Sequence, residues 1–320
     1  MLIGGATDGQ TDATAGRWID RRDRLGRREF RRDYLRPRRP VVVPGAARDW
    51  PASGLFTPEY FRREHAAAAV RVRGRYCRLG ELIDQQQASS AARPAPYPCT
   101  LVDGSSLLPL LTPRFECSLP NRHTHPLIPP LVFEMIRHVE VFFGAEGGEF
   151  PVLHYDMLRM HAWIVQLHGE KEFTLFERGQ EHLLYVNPRL PWLSLVQDLR
   201  DHARYPLLRE ARSHTVTLGA GDALFIPCGT WHTARCLGMN ITVAFDQLEA
   251  SNWNEFVAEA VAEQRRGGRR IRALLLEAYL RALGPVLRVA ELFGANCGSR
   301  WSRRVYAPAT EQPSSALARA

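Results

Sequence analysis

The chain changes its hydrophobic rhythm near residue 139. Downstream, apolar residues come in short β-branched or aromatic runs: VEVFF, FPVLH, HAWIVQLHG, EFTLF, HTVTLG, DALFIP and ITVAF, punctuated by glycine and proline. Runs of this kind predict antiparallel strands closed into a sandwich or barrel. Upstream the pattern is mixed. VVVPG (41–45) is a short strand and turn, and Thr57-Pro58-Glu59 opens a helix to about His65, a hydroxyl cap followed by proline at the first helical position. A second helix is expected over 79–87, and SSAARPAPYP (89–98) is a loop by composition. After the strands, Asn252-x-x-Glu255 reads as a capping box for helices over about 253–265 and 269–283, the second strongly apolar. Residues 17–35 can form a basic helix anchored by Trp18, Leu25, Phe30 and Tyr34, and residues 1–16 have a disordered composition. The expected organisation is one compact unit: a flexible arginine-rich arm (1–35), an N-terminal region packed on the barrel (36–138), the barrel (139–250), C-terminal helices (251–305) and a tail (306–320).

Composition narrows the class. The 320 residues are 45% hydrophobic, which excludes a wholly disordered chain, collagen and coiled coil. No apolar run reaches the roughly 18–20 residues that span a bilayer, so no membrane association is expected. MLIGGATDGQTDATAG has neither a basic nor an apolar leader segment, and the six cysteines form no CxxC pair. Reduced thiols in a cytoplasmic protein are the expectation. The net charge is +8, and 41 of the 42 basic residues are arginines; Lys171 is the single lysine. Eleven arginines lie between Arg17 and Arg39 against four acids, yet few aromatics interleave them. A solvated helix face accounts for them, and a nucleic-acid partner is not expected.

The chemistry concentrates at His154-Tyr155-Asp156, at the end of a predicted strand. Positions i and i+2 of an extended chain share a face, so imidazole and carboxylate can converge on one ion. His232, after the strand and turn GDALFIPCGTW (221–231), is the natural third ligand. Two histidines and a carboxylate leave coordination positions open, the facial triad of non-haem Fe(II) oxygenases. Lys171 opens the strand EKEFTLF seventeen residues after His154 and could place an ammonium near the metal without ligating it. A point cation there suits the distal carboxylate of a dicarboxylic co-substrate. His123-Thr-His125 has ligand-like spacing but sits in a proline-rich stretch. His161 and His168 bracket a strand as candidate surface residues, and Trp163 and Trp231 read as packing, with the barrel mouth beside His232 a further option for Trp231.

In its ordered motifs the chain resembles the JmjC-domain, cupin-8 class of Fe(II)- and 2-oxoglutarate-dependent oxygenases. The resemblance covers roughly 29–255 and is carried by REFRRDYLRPRRPVVVPGAARDWPA (28–52), FTPEYFRREH (56–65), FFGAEGGEFPVLHYD (142–156), AWIVQLHGEKEFTLFE (162–177), RYPLLREAR (204–212), GDALFIPCGTWHTA (221–234) and NITVAFDQLEASNW (240–253). It implies a mainly β fold, a double-stranded β-helix of jelly-roll type, with an N-terminal helical segment and C-terminal helices that can form a homodimer. It implies His154, Asp156 and His232 as iron ligands, Lys171 on the 2-oxoglutarate carboxylate, and O2 as oxidant. The reaction implied is hydroxylation of an amino-acid residue in a protein or peptide, or of a small metabolite, in preference to demethylation. Two positions depart from the family: Pro151 stands where relatives carry Thr or Ser, and Ile164 where some carry Asn. Asn240, Thr242 and Asp246 are candidates to compensate, with Asn240 and Thr242 taken as cofactor-binding. The alternative is a non-catalytic cupin-fold protein that holds a metal or small ligand.

Overall fold

In the computed structural model, residues 18–292 are described except 103–106, 108, 112–115, 120, 123–124, 130–131 and 133–138. The expectations for residues 1–17, His123 and the tail 306–320 lie outside the described residues. In chain order, the N-terminal elements are β1 (Asp20–Arg21), α1 (Arg27–Glu29), β2 (Val41–Val43), α2 (Pro58–Glu64), β3 (Ala69–Val72), β4 (Arg75–Arg78), α3 (Leu79–Gln87) and β5 (Cys99–Leu101). They are followed by β6 (Val139–Gly144), β7 (His161–His168), β8 (Lys171–Phe176), β9 (Ser213–Leu218), β10 (Ala223–Ile226), β11 (His232–Cys236) and β12 (Asn240–Gln247). Two helices close the described chain, α4 (Trp253–Arg266) and α5 (Arg270–Leu292). Of the apolar runs, FPVLH alone makes isolated bridges instead of a strand, and that irregularity carries the first candidate ligand.

The strands form two sheets. The larger has the order β1-β2-β10-β7-β12-β6-β5-β3-β4, and the smaller is β11-β8-β9. β7 lies between β10 and β12 and is buried almost throughout, because both of its faces are covered. Its alternation sorts the core. Trp163, Val165 and Leu167 join Phe30, Phe56, Phe61, Val70 and Phe143 beneath the N-terminal region. Ala162 and Ile164 face Phe173, Leu175, Leu218 and Ala234 of the smaller sheet, filling the space between the sheets. This is the expected jelly-roll arrangement, mostly β with flanking helices. Each such fully buried side chain contributes roughly 1.5–3 kcal/mol.

One expectation fails at the N-terminus. The arm expected to be flexible through residue 35 is folded from Trp18 onward. Residues 20–21 pair in parallel with β2, and a π-helical turn (Phe30–Leu35) follows α1. Leu25, Phe30, Tyr34 and Leu35 are buried in the main core, so the arginines occupy only the outward positions. A second correction concerns α4: the Asn252 side chain makes no cap bond. It accepts from the Glu249 N–H at 2.8 Å and donates to the carbonyls of Arg159 and Gln247, while Glu255 pairs with Arg38.

Candidate metal centre

His154 and His232 meet through their own main chains. Each N–H bonds to the other's carbonyl, at 3.1 and 2.7 Å, a two-residue antiparallel bridge that sets the rings 4.4 Å apart. His232 reaches that position after a tight turn, Thr230 N–H to Pro227 carbonyl, in which Gly229 adopts φ +71°. A Cβ there would collide with the Arg159 guanidinium. Asp156 follows two residues after His154, and its carboxylate lies 3.9 Å from His232 Nε2. One ligand atom from each of His154, Asp156 and His232 falls within 4.8 Å of the others.

The intervening Tyr155 points away, as alternation requires. Its ring packs edge-on against Trp231 at 5.1 Å, so Trp231 belongs to an outer cluster and does not line the mouth. The Tyr155 hydroxyl donates to Glu259 of α4 at 2.5 Å, and Arg159 donates to the same oxygen at 2.9 Å with its guanidinium 4.0 Å over the tyrosine ring. The ligand-bearing loop is thereby clamped to α4.

Lys171 lies at an inward position of β8, on the same face as Phe173 and Leu175, and is 3% exposed. The chain enters β8 through Gly169, whose φ of +65° and close approach to the Met239 carbonyl leave no room for a side chain. Among the described residues the ammonium has no acidic partner. It donates to the Tyr97 hydroxyl and lies 4.9–5.5 Å from the rings of Tyr97, Phe142 and Phe173. Loss of hydration lowers its pKa to about 8. Tyr97 is a residue that sequence reasoning missed: one aromatic in a proline-rich loop gives no periodic signal. Phe150 was missed as well. It stacks on His154 at 4.6 Å and meets Tyr97 at 5.9 Å, linking the lysine end of the site to the triad.

The remaining candidates separate clearly. Thr242 and Asn240 share the interior face of β12. The Thr242 hydroxyl donates to Gln166 at 2.8 Å, and Asn240 donates to the Gly238 carbonyl, leaving its own Oδ1 buried without a partner. No hydrogen bond joins either to Lys171. Pro151 is exposed, and Ile164 is part of the apolar filling between the sheets. His161 is fully buried, not superficial. Cys228 N–H donates to its Nδ1 at 2.9 Å, so the ring proton sits on Nε2 and goes to Ser251 Oγ at 3.0 Å. In that tautomer the imidazole cannot serve Ser251 as a base. His125 is occupied locally, its Nδ1 accepting from Leu127 N–H at 3.2 Å. Cys228, whose N–H serves His161, is not a candidate ligand: burial pushes its thiol up to about 12 and leaves it inert.

A cupin-like domain is matched over residues 78–246. The chain belongs to the cupin-like family. Three curated relatives locate it further. It is 28% identical over 109 residues to JmjC domain-containing protein D of Dictyostelium discoideum, covering 33% of this chain and 24% of that protein. It is 28% identical over 131 residues to the 2-oxoglutarate and iron-dependent oxygenase JMJD4 of Gallus gallus, 39% of this chain and 31% of that one. It is 22% identical over 256 residues to the bifunctional peptidase and (3S)-lysyl hydroxylase JMJD7 of Homo sapiens, 66% of this chain and 79% of that one. The match spans about a quarter to a third of the first two relatives.

Within this cupin-like barrel the triad fits a divalent ion by its donor chemistry. Both histidines give Nδ1–H to a carbonyl two residues back, Val152 at 3.2 Å and Thr230 at 3.0 Å, so each Nε2 keeps its lone pair. Burial holds His154 neutral, its pKa lowered to about 3, with the neighbouring His232 adding to the shift. Burial also raises Asp156, only partly offset by His232. One carboxylate oxygen and two imidazole nitrogens converging within 4.8 Å form a donor set for a divalent cation. The buried ammonium of Lys171 has no acidic partner among the described residues.

Proposed function

We propose that the protein is an Fe(II)- and 2-oxoglutarate-dependent oxygenase that hydroxylates an amino-acid residue in a protein or peptide. The observation that carries this is the pairing of an open His-Asp-His triad with a buried lysine that has no acidic partner among the described residues. His154, Asp156 and His232 would hold the iron, which when bound supplies the activation of O2 needed to oxidise a C–H bond, with 2-oxoglutarate decarboxylated in the process. The chain's own part is positioning and solvent exclusion. Lys171 and the Tyr97 hydroxyl receive the distal carboxylate of 2-oxoglutarate, a charge-assisted pair in a site dried by Phe142, Phe150 and Phe173. Thr242 and Asn240 line the same interior face as further polar contacts for the co-substrate. The protein-residue substrate is supported by the lysyl hydroxylase named among the relatives.

The apolar stripe of α5, with Ile271, Leu275, Val286, Val289 and Leu292 each more than half exposed, is covered by a second copy of the chain. Sedimentation should give a dimer that Leu275→Glu converts to monomer. The compartment is the cytoplasm, in keeping with the free thiols of Cys77, Cys99, Cys117, Cys228 and Cys236. No helix among the described residues is long and apolar enough to cross a membrane.

The test is anaerobic. Protein reconstituted with Fe(II) and mixed with 2-oxoglutarate should develop the weak visible charge-transfer band of the chelate, and His232→Ala should lose it. No band from folded, iron-loaded wild type would overturn the co-substrate assignment and leave a metal-binding cupin.

A further inference from the structure

β3 and β4 carry the large sheet beyond the barrel as a two-stranded ribbon. In register, Phe142 stands opposite Thr100, Thr100 opposite Arg71, and Arg71 opposite Tyr76. Those residues share one face of the sheet, the face on which the Phe142 ring meets Lys171. Alternation adds Arg78 to it, while Val70, Val72 and Cys77 pack into the core on the other side. On the ribbon the site-facing side is open. Arg71 and Arg78 are exposed there, with Tyr76 66% exposed between them; Arg73 in the turn and Arg75, which alternation places on the opposite face, are exposed as well. Arg75 and Arg78 have no acidic partner among the described residues.

The ribbon is tied to the site at two points. Arg73 donates to the Tyr97 main-chain carbonyl at 3.3 Å, the same residue whose hydroxyl meets Lys171. The Arg71 guanidinium lies 4.0 Å from the Glu140 carboxylate. Glu140 pairs across to Ala244, two residues from Asp246 on the same face, and burial pushes the Asp246 carboxyl well up, with Asp156 and Glu140 adding to the shift. A track of side chains therefore runs from the ribbon to the triad, basic at its outer end and acidic at its inner end. β4 is also the last strand of its sheet, with one main-chain edge open among the described residues.

We propose that the β3–β4 ribbon docks an acidic, extended segment of the polypeptide substrate, flanking the residue to be oxidised. This rests on the oxygenase reading above. The open edge of β4 offers main-chain pairing to an extended chain, the arginines select acidic side chains, and Tyr76 supplies a flat apolar face beside them. The inner end of the track decides between polymers. A phosphodiester backbone carries its negative charge continuously and would meet the Glu140 carboxylate before the triad. A polypeptide can change sign from one residue to the next and bring a neutral or cationic side chain past it.

Binding alone tests it, with no metal or turnover, so a failed charge-transfer experiment leaves this result readable. Fluorescence anisotropy would compare the full-length protein's affinity for a labelled peptide of Glu-Gly-Ser repeats, a Lys-Gly-Ser peptide of equal length and a single-stranded polyuridine RNA. The acidic peptide should bind best and weaken as salt is raised. Tyr76→Ser combined with Arg78→Glu, both outside the site, should lower its affinity about tenfold with an unchanged thermal melt. Tyr76→Phe with Arg78→Lys should restore most of it. Equal affinity for the two peptides, or a double variant that binds like wild type, would overturn the docking surface. RNA that binds more tightly than the acidic peptide would overturn the choice of polypeptide.

Discussion

His154 and His161 are seven residues apart in sequence, the first half-buried and the second fully buried, and both lowered to about 3 by loss of hydration, yet their surroundings differ in kind. His161 has both nitrogens answered by protein, Cys228 N–H on one and Ser251 on the other. Glu249, 3.9 Å from its Nε2, is itself occupied by the Ser251 N–H at 2.5 Å. Around His154 the polar groups are answered on one side only. Its Nδ1 and that of His232 go to backbone carbonyls, and the other nitrogens converge with Asp156 on a common point. Burial of a histidine is thus no sign of function by itself. The sign is a set of buried donors whose second valence the protein leaves open.

The comparison breaks most sharply at Asp156. Asp156→Ala should weaken Mn(II) or Fe(II) binding, read by calorimetry, by about a hundredfold or more. The metal-free protein should melt no lower, because the substitution removes a half-buried carboxylate that loss of hydration disfavours and only His232 offsets. A wild-type metal affinity in this variant would dissolve the triad. Lys171→Met comes next. 2-Oxoglutarate affinity should fall roughly tenfold to hundredfold, the worth of hydrogen bonds to a charged group, with metal affinity unchanged. His161→Gln is the opposite case: about 1–3 kcal/mol of stability lost in urea unfolding as a buried donor goes unanswered, and the metal site untouched. Altered metal affinity there would join the two clusters that the structure separates.

The pH dependence sharpens the same contrast at smaller amplitude. Both histidines have folded values near 3, below the ordinary 6.5, so between those limits the unfolded chain binds more protons. Stability of the metal-free protein should therefore fall as pH drops from 6.5 toward 3, and His161→Gln should flatten that slope in thermal melts. At the alkaline side Lys171 loses its proton above about 8, so 2-oxoglutarate binding should weaken there in a titration series. Smallest of all, Tyr97→Phe keeps the ring beside the ammonium and removes one hydroxyl. A loss of about fivefold in co-substrate affinity is expected.

What could be read from sequence follows the range of the interactions. The strands from β6 to β12 announce themselves because alternation is local, and His154 with Asp156 follows from the same period of two. Lys171 was conspicuous as the single lysine in an arginine-rich chain. Tyr97 was not visible, since its place beside Lys171 depends on β5 pairing with β6, a contact between distant segments. The folded state of residues 18–35 was half visible. Phe30 and Tyr34 have helical spacing, but the pairing of β1 with β2 is made by main-chain groups that every sequence shares. Asn252 illustrates the opposite failure. A local capping pattern was present, and longer-range bonds to Arg159 and Glu249 took the side chain instead.

The clamp of Tyr155 and Arg159 onto Glu259 makes the ligand loop and α4 a single thermodynamic unit. α4 packs along α5 through Phe256, Ala260, Leu276 and Leu280. An ion that favours the ordered loop must then favour the docked helices by the same free energy, and a partner resting on α5 must tighten the ion in return. Hydrogen exchange would register this reciprocity as slower exchange in α4 when metal is added, at a distance from any atom the metal touches.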